Sequence, residues 1–535
     1  MPTYLTPGVY VEEVPSGSRP IEVSPTSIAA FVGVAERGPV NTPVSITKTD
    51  DYEATFGGYL PPGTGPGESY LAHAVAQFFG QGGSRCYVIR IAGSGASSGE
   101  FNAIGVADLL NDVAAAYEGE ENFGDWSQHY DVQIAPSQSD PKQLLDLIVR
   151  YWPTPDSDRD SATGDEKQDS KNGYTVVESY QELSLWRESN RYAPNVIRGD
   201  SKLVKIDFLA PVSNAEDEHD LVNLDGTFNT ETYILTSGAG GAAVDVDNDT
   251  TLFQNALHSL DTIKDVRLIA IPGIPEQSLT GVQYCLGRPE KDCVFFMDPE
   301  SNANSTSKII AWAEDVLKGS TSSSYAALYY PWVKAANREP KGGMADFPPS
   351  GFVMGMCGRI DQKRGVWKAP AGLETSLPGV RGVVHDIIDK EQEQLNPRGI
   401  NCLRVVKGSG TVIWGSRTRS TRADPEWRYF PVRRTAIMIE RSIYDSIQWA
   451  VFEPNDHRLW SALRANIGTF MNGLFRAGAF QGEKASDAYS VRCNLGDTMT
   501  QGDIDRGQVI VQIGFAPLKP AEFVIVRIQQ KVNQK

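Results

Sequence analysis

Apolar and polar positions along this 535-residue chain change period several times. Residues 28–35 (IAAFVGVA) and 86–92 (CYVIRIA, with Arg90 its one charge) are mainly apolar runs of strand length. Between them, residues 69–79 set Leu71, Val75 and Phe78 on one helical face, and Gly80, Gly82 and Gly83 follow as a stop. From residue 251 the spacing becomes strand, helix, strand. The runs 266–271 (VRLIAI), 293–297 (CVFFM) and 326–330 (AALYY) are near-continuous, as expected of strands covered on both faces, and 307–317 places Ile309, Ile310, Trp312 and Val316 on a helix. This order predicts a parallel sheet with crossover helices. Strands follow at 405–407 and 412–414. Then come two helical stripes, Ile439, Ile443, Ile447 and Val451, and Leu459, Leu463, Ile467, Phe470 and Leu474, with Pro454 and Asn455 breaking and recapping the chain between them.

Two further apolar runs lie near the termini. Phe523, Val524, Ile525, Val526 and Ile528 stand behind Pro517 and Pro520, and Val9, Tyr10, Val11 and Val14 lie between Pro7 and Pro15. Both read as strands. Such a segment pairs inside its own subunit or adds itself to a neighbour's open sheet, and the pattern leaves both readings open.

Residues 101–250 differ in character. They hold 29 acidic and 10 basic side chains, whereas the whole chain carries 67 and 50 for a net charge of −17, so all the acidic excess sits in this segment. It contains the polar tract PTPDSDRDSATGDEKQDSKNG and strand candidates at 203–209 and 232–236, and it reads as an inserted, outward-facing domain. So acidic a surface repels phosphates, which argues against nucleic acid as a partner. Residues 359–441 reverse the balance, with 16 bases against 9 acids, and make the better surface for an acidic partner. No stretch of about eighteen apolar residues is present to span a bilayer, and residues 1–13 lack the basic start and apolar core of a signal peptide.

Chemistry-bearing motifs are weak. Gly95-Ala96-Ser97-Ser98-Gly99 has the outline of a nucleophile elbow but sits among small residues with no helix after it, and reads as a linker. Asp245, Asp247 and Asp249 have calcium-loop spacing, but Thr250 and Ala256 stand where glycine and glutamate are required. The six cysteines are scattered without a C-x-x-C pair and read as reduced buried thiols. The six histidines have no zinc spacing, and GGYLPPGTGPGE lacks the lysine of a phosphate-binding loop. No catalytic, metal or cofactor site is expected.

Several strings, taken together, resemble the contractile tail sheath family of phage tails and related injection machines. They are TPGVYVEEVPSG, SIAAFVGVAERGP, YAALYYPWV, PPSGFVMGMCGRIDQKRGVWKAPAG, LNPRGINCLRVVKGSGTVIWGSRT, WRYFPVRRTAIMIERSI, VFEPNDHRLW and GFAPLKPAEFVIVRIQQ, in the family's order. The resemblance implies an α/β and α+β multidomain protein. An N-terminal arm would span 1–20 and the N-terminal part of the core 21–100. A β-rich variable insertion would span 101–250, a subtilisin-like α/β domain without catalysis 251–420, a tube-facing α+β domain 421–515 and a C-terminal strand arm 516–535. It also implies that both arms interlace with neighbouring subunits, which would settle the open reading of the terminal strands. Arg433, Arg434, Arg441, Arg458 and Arg464 would then be candidates to meet an acidic inner tube. Implied partners are further copies of the chain in stacked, hexameric rings, the tube protein, the baseplate and a terminator. The protein would assemble in the cytoplasm of the producing cell and end in a virion tail or injection particle. The rival readings are a static shell or surface-layer protein and a serine hydrolase built on Ser97.

Overall fold

The computed structural model describes residues 20–65, 68–93, 249–317, 324–339, 342–420 and 425–522, with separate strands, a helix and short segments between 96 and 246. Residues 1–19 and 523–535, including Val9, Tyr10, Val11, Val14, Phe523, Val524, Ile525, Val526 and Ile528, lie outside the described residues, whereas the stretch 516–522 is described and Pro517 bridges Phe480 in the same chain. Two compact units result. One is Pro25–Arg434, and the other is made of the described parts of Met1–Ser24 and Thr435–Lys535.

The larger unit is built on an eight-stranded sheet. Its strands are β1 (Ala29–Gly33), β2 (Val44–Ile46), β3 (Cys86–Arg90), β4 (Leu268–Ala270), β5 (Val294–Met297), β6 (Ala326–Tyr330), β7 (Ile400–Val406) and β8 (Gly410–Trp414), in spatial order β2-β3-β1-β4-β5-β6-β7-β8. The six inner strands are parallel, with Ala29 beside both Cys86 and Leu268, Leu268 beside Val294, Phe295 beside Ala326 and Leu328 beside Ile400. β2 and β8 close the two edges antiparallel. β1, β4, β5 and β6 are buried at every residue, which is why their sequences are continuous apolar runs and not alternating ones. The outer edge of β8 is covered by the chain before it: Gly372 N–H donates to Ile413 O and Leu377 N–H to Thr411 O, both at 2.9 Å. A covered edge offers no template for pairing.

The helices are α1 (Thr49–Phe56), α2 (Leu71–Gln81), α3 (Thr250–His258), α4 (Ser278–Gly287), α5 (Thr306–Asp315), α6 (Ser350–Arg364), α7 (Phe430–Ser446) and α8 (His457–Arg476). α2 ends on Gly82, whose φ of 110° suits only glycine. α2 and α6 cross closely at Gly351 and Gly355. A Cβ on Gly355 would lie 2.3 Å from Phe78 O, so the glycine is required by the approach of the other helix.

The described residues between 99 and 234 are mostly strands. Glu231–Ile234, Tyr130–Pro136, Leu144–Tyr151 and Thr175–Ser184 form one antiparallel sheet, and Val204–Phe208, Val106–Asn111 and Gly99–Ala103 another. Val132, Ile134, Leu145, Leu147 and Val149 alternate into its core. Ala96–Ser97 pairs with Ala239–Gly240 where the chain enters and leaves this segment. The tract read as a linker therefore contains a strand, and Ser97 lies in a ladder.

The smaller unit carries α8, β9 (Tyr489–Arg492) and β10 (Gln512–Phe515). α8 buries Leu459, Leu463, Ile467, Phe470 and Leu474, the predicted stripe. Two boundaries differ from expectation. α7 begins at Phe430 and stops at Ser446, so Ile447 and Val451 lie beyond it. Ile447 packs on the cluster of Leu459, Trp460 and Leu463, while Val451 is extended and exposed. The cap of α8 is Asp456, whose carboxylate accepts from Arg458 N–H and Leu459 N–H at 2.8 and 3.1 Å. Asn455 instead accepts from the Trp460 indole at 2.8 Å.

Candidate functional site

In a parallel α/β sheet, ligands sit beyond the carboxyl ends of the strands where the strand order reverses. Here that point lies between β1 and β4, and side chains fill it. The Tyr70 ring packs on Gly273 and meets Trp332 edge-on at 5.1 Å and Phe347 at 6.4 Å. Behind it Asp298, fully buried, accepts from Gly273 N–H at 3.2 Å, Ser350 N–H at 3.0 Å and Ser350 Oγ at 2.6 Å. Burial pushes its carboxyl up to about 6, against the lowering effect of those three donors. The Asp298 carboxylate stitches the turn after β4 to the start of α6. The Ser350 hydroxyl is engaged with it, which leaves the contact structural. No group of metal-ligating side chains occurs among the described residues, and no described helix is long and apolar enough to cross a membrane.

The five arginines singled out by sequence part company. Arg433 lies 3.4 Å from the Trp427 ring centroid and 4.4 Å from that of Tyr325, and donates twice to Ser324 Oγ. Arg434 donates to both Asp361 oxygens and to Thr26 O, with both side chains almost fully buried. Arg441 is buried against Asp445 at 3.0 and 2.7 Å. All three guanidinium groups are buried and engaged within the subunit. Arg464 is half-buried and ties α8 to the turn after β9 through Cys493 O, Asn494 Oδ1 and Ser461 Oγ. Arg458 alone of the five is exposed, and its charge lies close enough to Asp456 to help lower that carboxyl below its ordinary range.

The smaller unit has two features that sequence did not show. Among the described residues its sheet stops at two strands, β9 and β10, paired from Tyr489–Phe515 to Arg492–Gln512. A sheet of two strands is marginal alone, and among the described residues no third strand joins either edge. It also exposes Tyr444, Val451, Leu495, Ile510 and Leu518, and Phe452, which is fully exposed. Phe452 has φ of +67°, a backbone conformation that costs a bulky side chain roughly 1–3 kcal/mol. The only sequence sign was its place before Glu453 and Pro454 in the break between the helices.

The class of protein follows from this architecture. The fold is that of contractile sheath subunits: the chain aligns over 99% of its length with the helical sheath of the anti-feeding prophage in the contracted state, at a TM-score of 0.57 and 22% identity. It aligns over 100% with the sheath complex of an extracellular contractile injection system in the contracted state, at 0.57 and 23%, each match covering 100% of the other chain. A sheath tail protein from Listeria innocua matches over 93% of this chain and 96% of its own at 0.56 and 11%. A model of the phage tail sheath protein central domain matches residues 254–419 and one of the phage tail sheath C-terminal domain residues 422–531, together more than half of the chain. The chain belongs to the phage tail sheath family. It is 32% identical over 172 residues to the tail sheath protein of Burkholderia phage BcepMu, 31% of this chain and 35% of that protein. It is 26% identical over 179 residues to that of Vibrio phage KVP40, 33% and 25%. The matched segments thus span a quarter to about a third of these curated relatives.

Proposed function

We propose that this protein is the structural subunit of a contractile sheath. Copies polymerise as a helical tube of stacked hexameric rings around an inner tail tube, and the tube is driven forward when the sheath shortens. The carrying observation is the two-stranded sheet, β9 with β10, among the described residues, in a chain whose sequence at 9–14 and 523–528 has the apolar pattern of strands. Strand addition satisfies both, gaining backbone hydrogen bonds on each side. A donated strand that stays paired while its proline-bearing stem bends keeps subunits linked through a large rearrangement. Heterologous contacts that do not close then propagate without limit. Pro517 and Pro520 supply such a stem.

On this reading the work is conformational, stored during assembly, and the middle region is a subtilisin-like α/β scaffold without catalysis. The filled crevice around Tyr70, Asp298 and Ser350 supports a non-enzymatic role. The arms are 1–20 and 516–535, the outward insertion 101–250, the scaffold 251–420 and the tube-facing domain 421–515. We assign to Arg458, exposed on α8, the contact with an acidic tube, and baseplate and terminator proteins close the two ends. Assembly belongs to the cytoplasm of the producing cell, and the product to a virion tail or injection particle. Co-expression with a tail tube protein, followed by electron microscopy, tests the function. Sheaths of two lengths are expected, and a single lattice of fixed spacing would favour a static shell.

A further inference from the structure

Cys285 and Cys293 are the two thiols that the fold brings together. Cys293 Sγ donates to Cys285 Sγ at 3.6 Å, and both side chains are fully buried. Cys285 lies near the end of α4 and Cys293 immediately precedes β5, so the pair spans the turn that returns the chain from helix to sheet. That turn is held by ionic contacts. Arg288 donates through Nε to Asp292 Oδ1 at 2.8 Å and through Nη1 to Tyr284 OH at 2.8 Å, and Arg267 Nη1 reaches Asp292 Oδ2 at 3.3 Å. All three charged side chains are 3% exposed. Asp292 adjoins Cys293 in the chain and Tyr284 adjoins Cys285, so the ionic network fixes the backbone on which each sulfur sits.

We propose that Cys285 and Cys293 are a redox modification site, a thiol pair that closes to an intrachain disulfide under hydrogen peroxide. The sulfurs are one hydrogen-bond length apart, and a disulfide requires about 2.05 Å, a closure of the size that a side-chain rotation supplies. The step balances. One sulfur attacks a peroxide oxygen, forming a sulfenic acid as the O–O bond breaks and water leaves. The second sulfur then attacks the sulfenic sulfur, the S–O bond breaks, and its oxygen leaves as a second water with the remaining thiol proton. Two thiols lose two electrons and one peroxide becomes two waters. Burial raises the Cys285 thiol well above its ordinary range, chiefly by desolvation and further by Cys293 beside it, so the reaction is slow and needs a small oxidant. The buried thiols Cys86, Cys357 and Cys402 are likewise raised and have no sulfur partner among the described residues. The product would staple α4 to β5. The site does not depend on the sheath reading.

The test exposes the purified full-length protein to hydrogen peroxide, then denatures, alkylates and maps it without reduction. The expected product is one crosslinked peptide pair joining 285 and 293, reversed by dithiothreitol, with a higher melting temperature than the reduced protein. Cys285→Ser and Cys293→Ser should each abolish that product. Full alkylation of both thiols after peroxide, oxidation to sulfinic or sulfonic acid without linkage, or linkage to other cysteines would each overturn the proposal. The peptide map of the unmutated protein decides even where a variant fails to fold.

Discussion

Arg434 and Asp361 form a buried ion pair that joins the start of α7 to α6, with side chains 3% and 5% exposed. The guanidinium donates to both carboxylate oxygens, to Asp361 Oδ1 at 3.0 Å, and also to Thr26 O at 3.0 Å. Asp361 Oδ2 accepts in addition from Thr26 Oγ1 at 2.6 Å. Removing one partner leaves a buried charge uncompensated, which costs roughly 3–5 kcal/mol. Asp361→Asn should therefore lower the melting temperature of the isolated subunit sharply. An unchanged unfolding curve would show that the pair contributes nothing to the fold.

Asp298 makes stability depend on pH in a defined window. Its native carboxyl titrates at about 6, whereas the unfolded chain has the ordinary 3.8. Between those values the native state holds a proton that the unfolded state has released, so stability from this group is fully present below 3.8 and is lost as pH rises to 6. The shift corresponds to an upper bound of roughly 3 kcal/mol. Asp298→Asn removes the slope, at the cost of a constant offset because its amide faces the Ser350 and Gly273 donors. Denaturant midpoints from acidic to neutral pH measure this, and parallel profiles for the two proteins would refute it.

Much of this architecture was legible in sequence because parallel strands covered on both faces must be continuously apolar. AALYY at 326–330 is β6 to the residue. What failed to read had physical causes. Buried Arg433 and Arg434 look like a basic surface in sequence because a cation paired through long-range contact with Ser324 or Asp361 leaves no local trace. Ile447 continues a helical ladder by spacing, yet the chain turns there to pack it beside Trp460. α1 went unseen because Thr49–Phe56 is short and its apolar face, Tyr52 and Phe56, is narrow. Residues 1–19 and 523–535 lie outside the described residues, so the proposed exchange of terminal strands rests on the sequence pattern and on the two-stranded sheet.

Glycines in helices separate intrachain need from its absence. Gly355→Ala would drive a Cβ to 2.3 Å from Phe78 O and should destabilise by about 1–3 kcal/mol through overpacking. Gly468 and Gly473 in α8 would meet nothing within 4 Å, so alanine there should stabilise the subunit by roughly 0.5–1 kcal/mol each. Chemical denaturation of the three variants checks the contrast. Equal losses at all three sites would refute the geometric account.

Phe452 dissociates subunit stability from assembly. Its ring is fully exposed and its φ of +67° is strained, so Phe452→Gly should leave the melting temperature unchanged or raise it. Sheath formation should weaken, because exposed aromatic rings at protein surfaces commonly anchor interfaces. Tubes of normal length and abundance from Phe452→Gly would show that the ring makes no intersubunit contact.

Arg458 and Arg464 give opposite outcomes on charge reversal. Arg464→Glu places a carboxylate against Cys493 O and Asn494 Oδ1, removes the tie from α8 to the turn after β9, and should lower the stability of the subunit before any partner is present. Arg458→Glu removes only an exposed charge contact with Asp456, whose cap bonds come from backbone N–H groups, and should leave folding intact. If Arg458 faces an acidic tube, this variant assembles less sheath on it, and the deficit deepens at low salt, where like-charge repulsion is least screened. Melting curves separate the two variants, and sedimentation of sheath with tube at two salt concentrations reads the second effect. Loading of Arg458→Glu equal to the unmutated protein at both salt concentrations would remove Arg458 from the tube-facing surface.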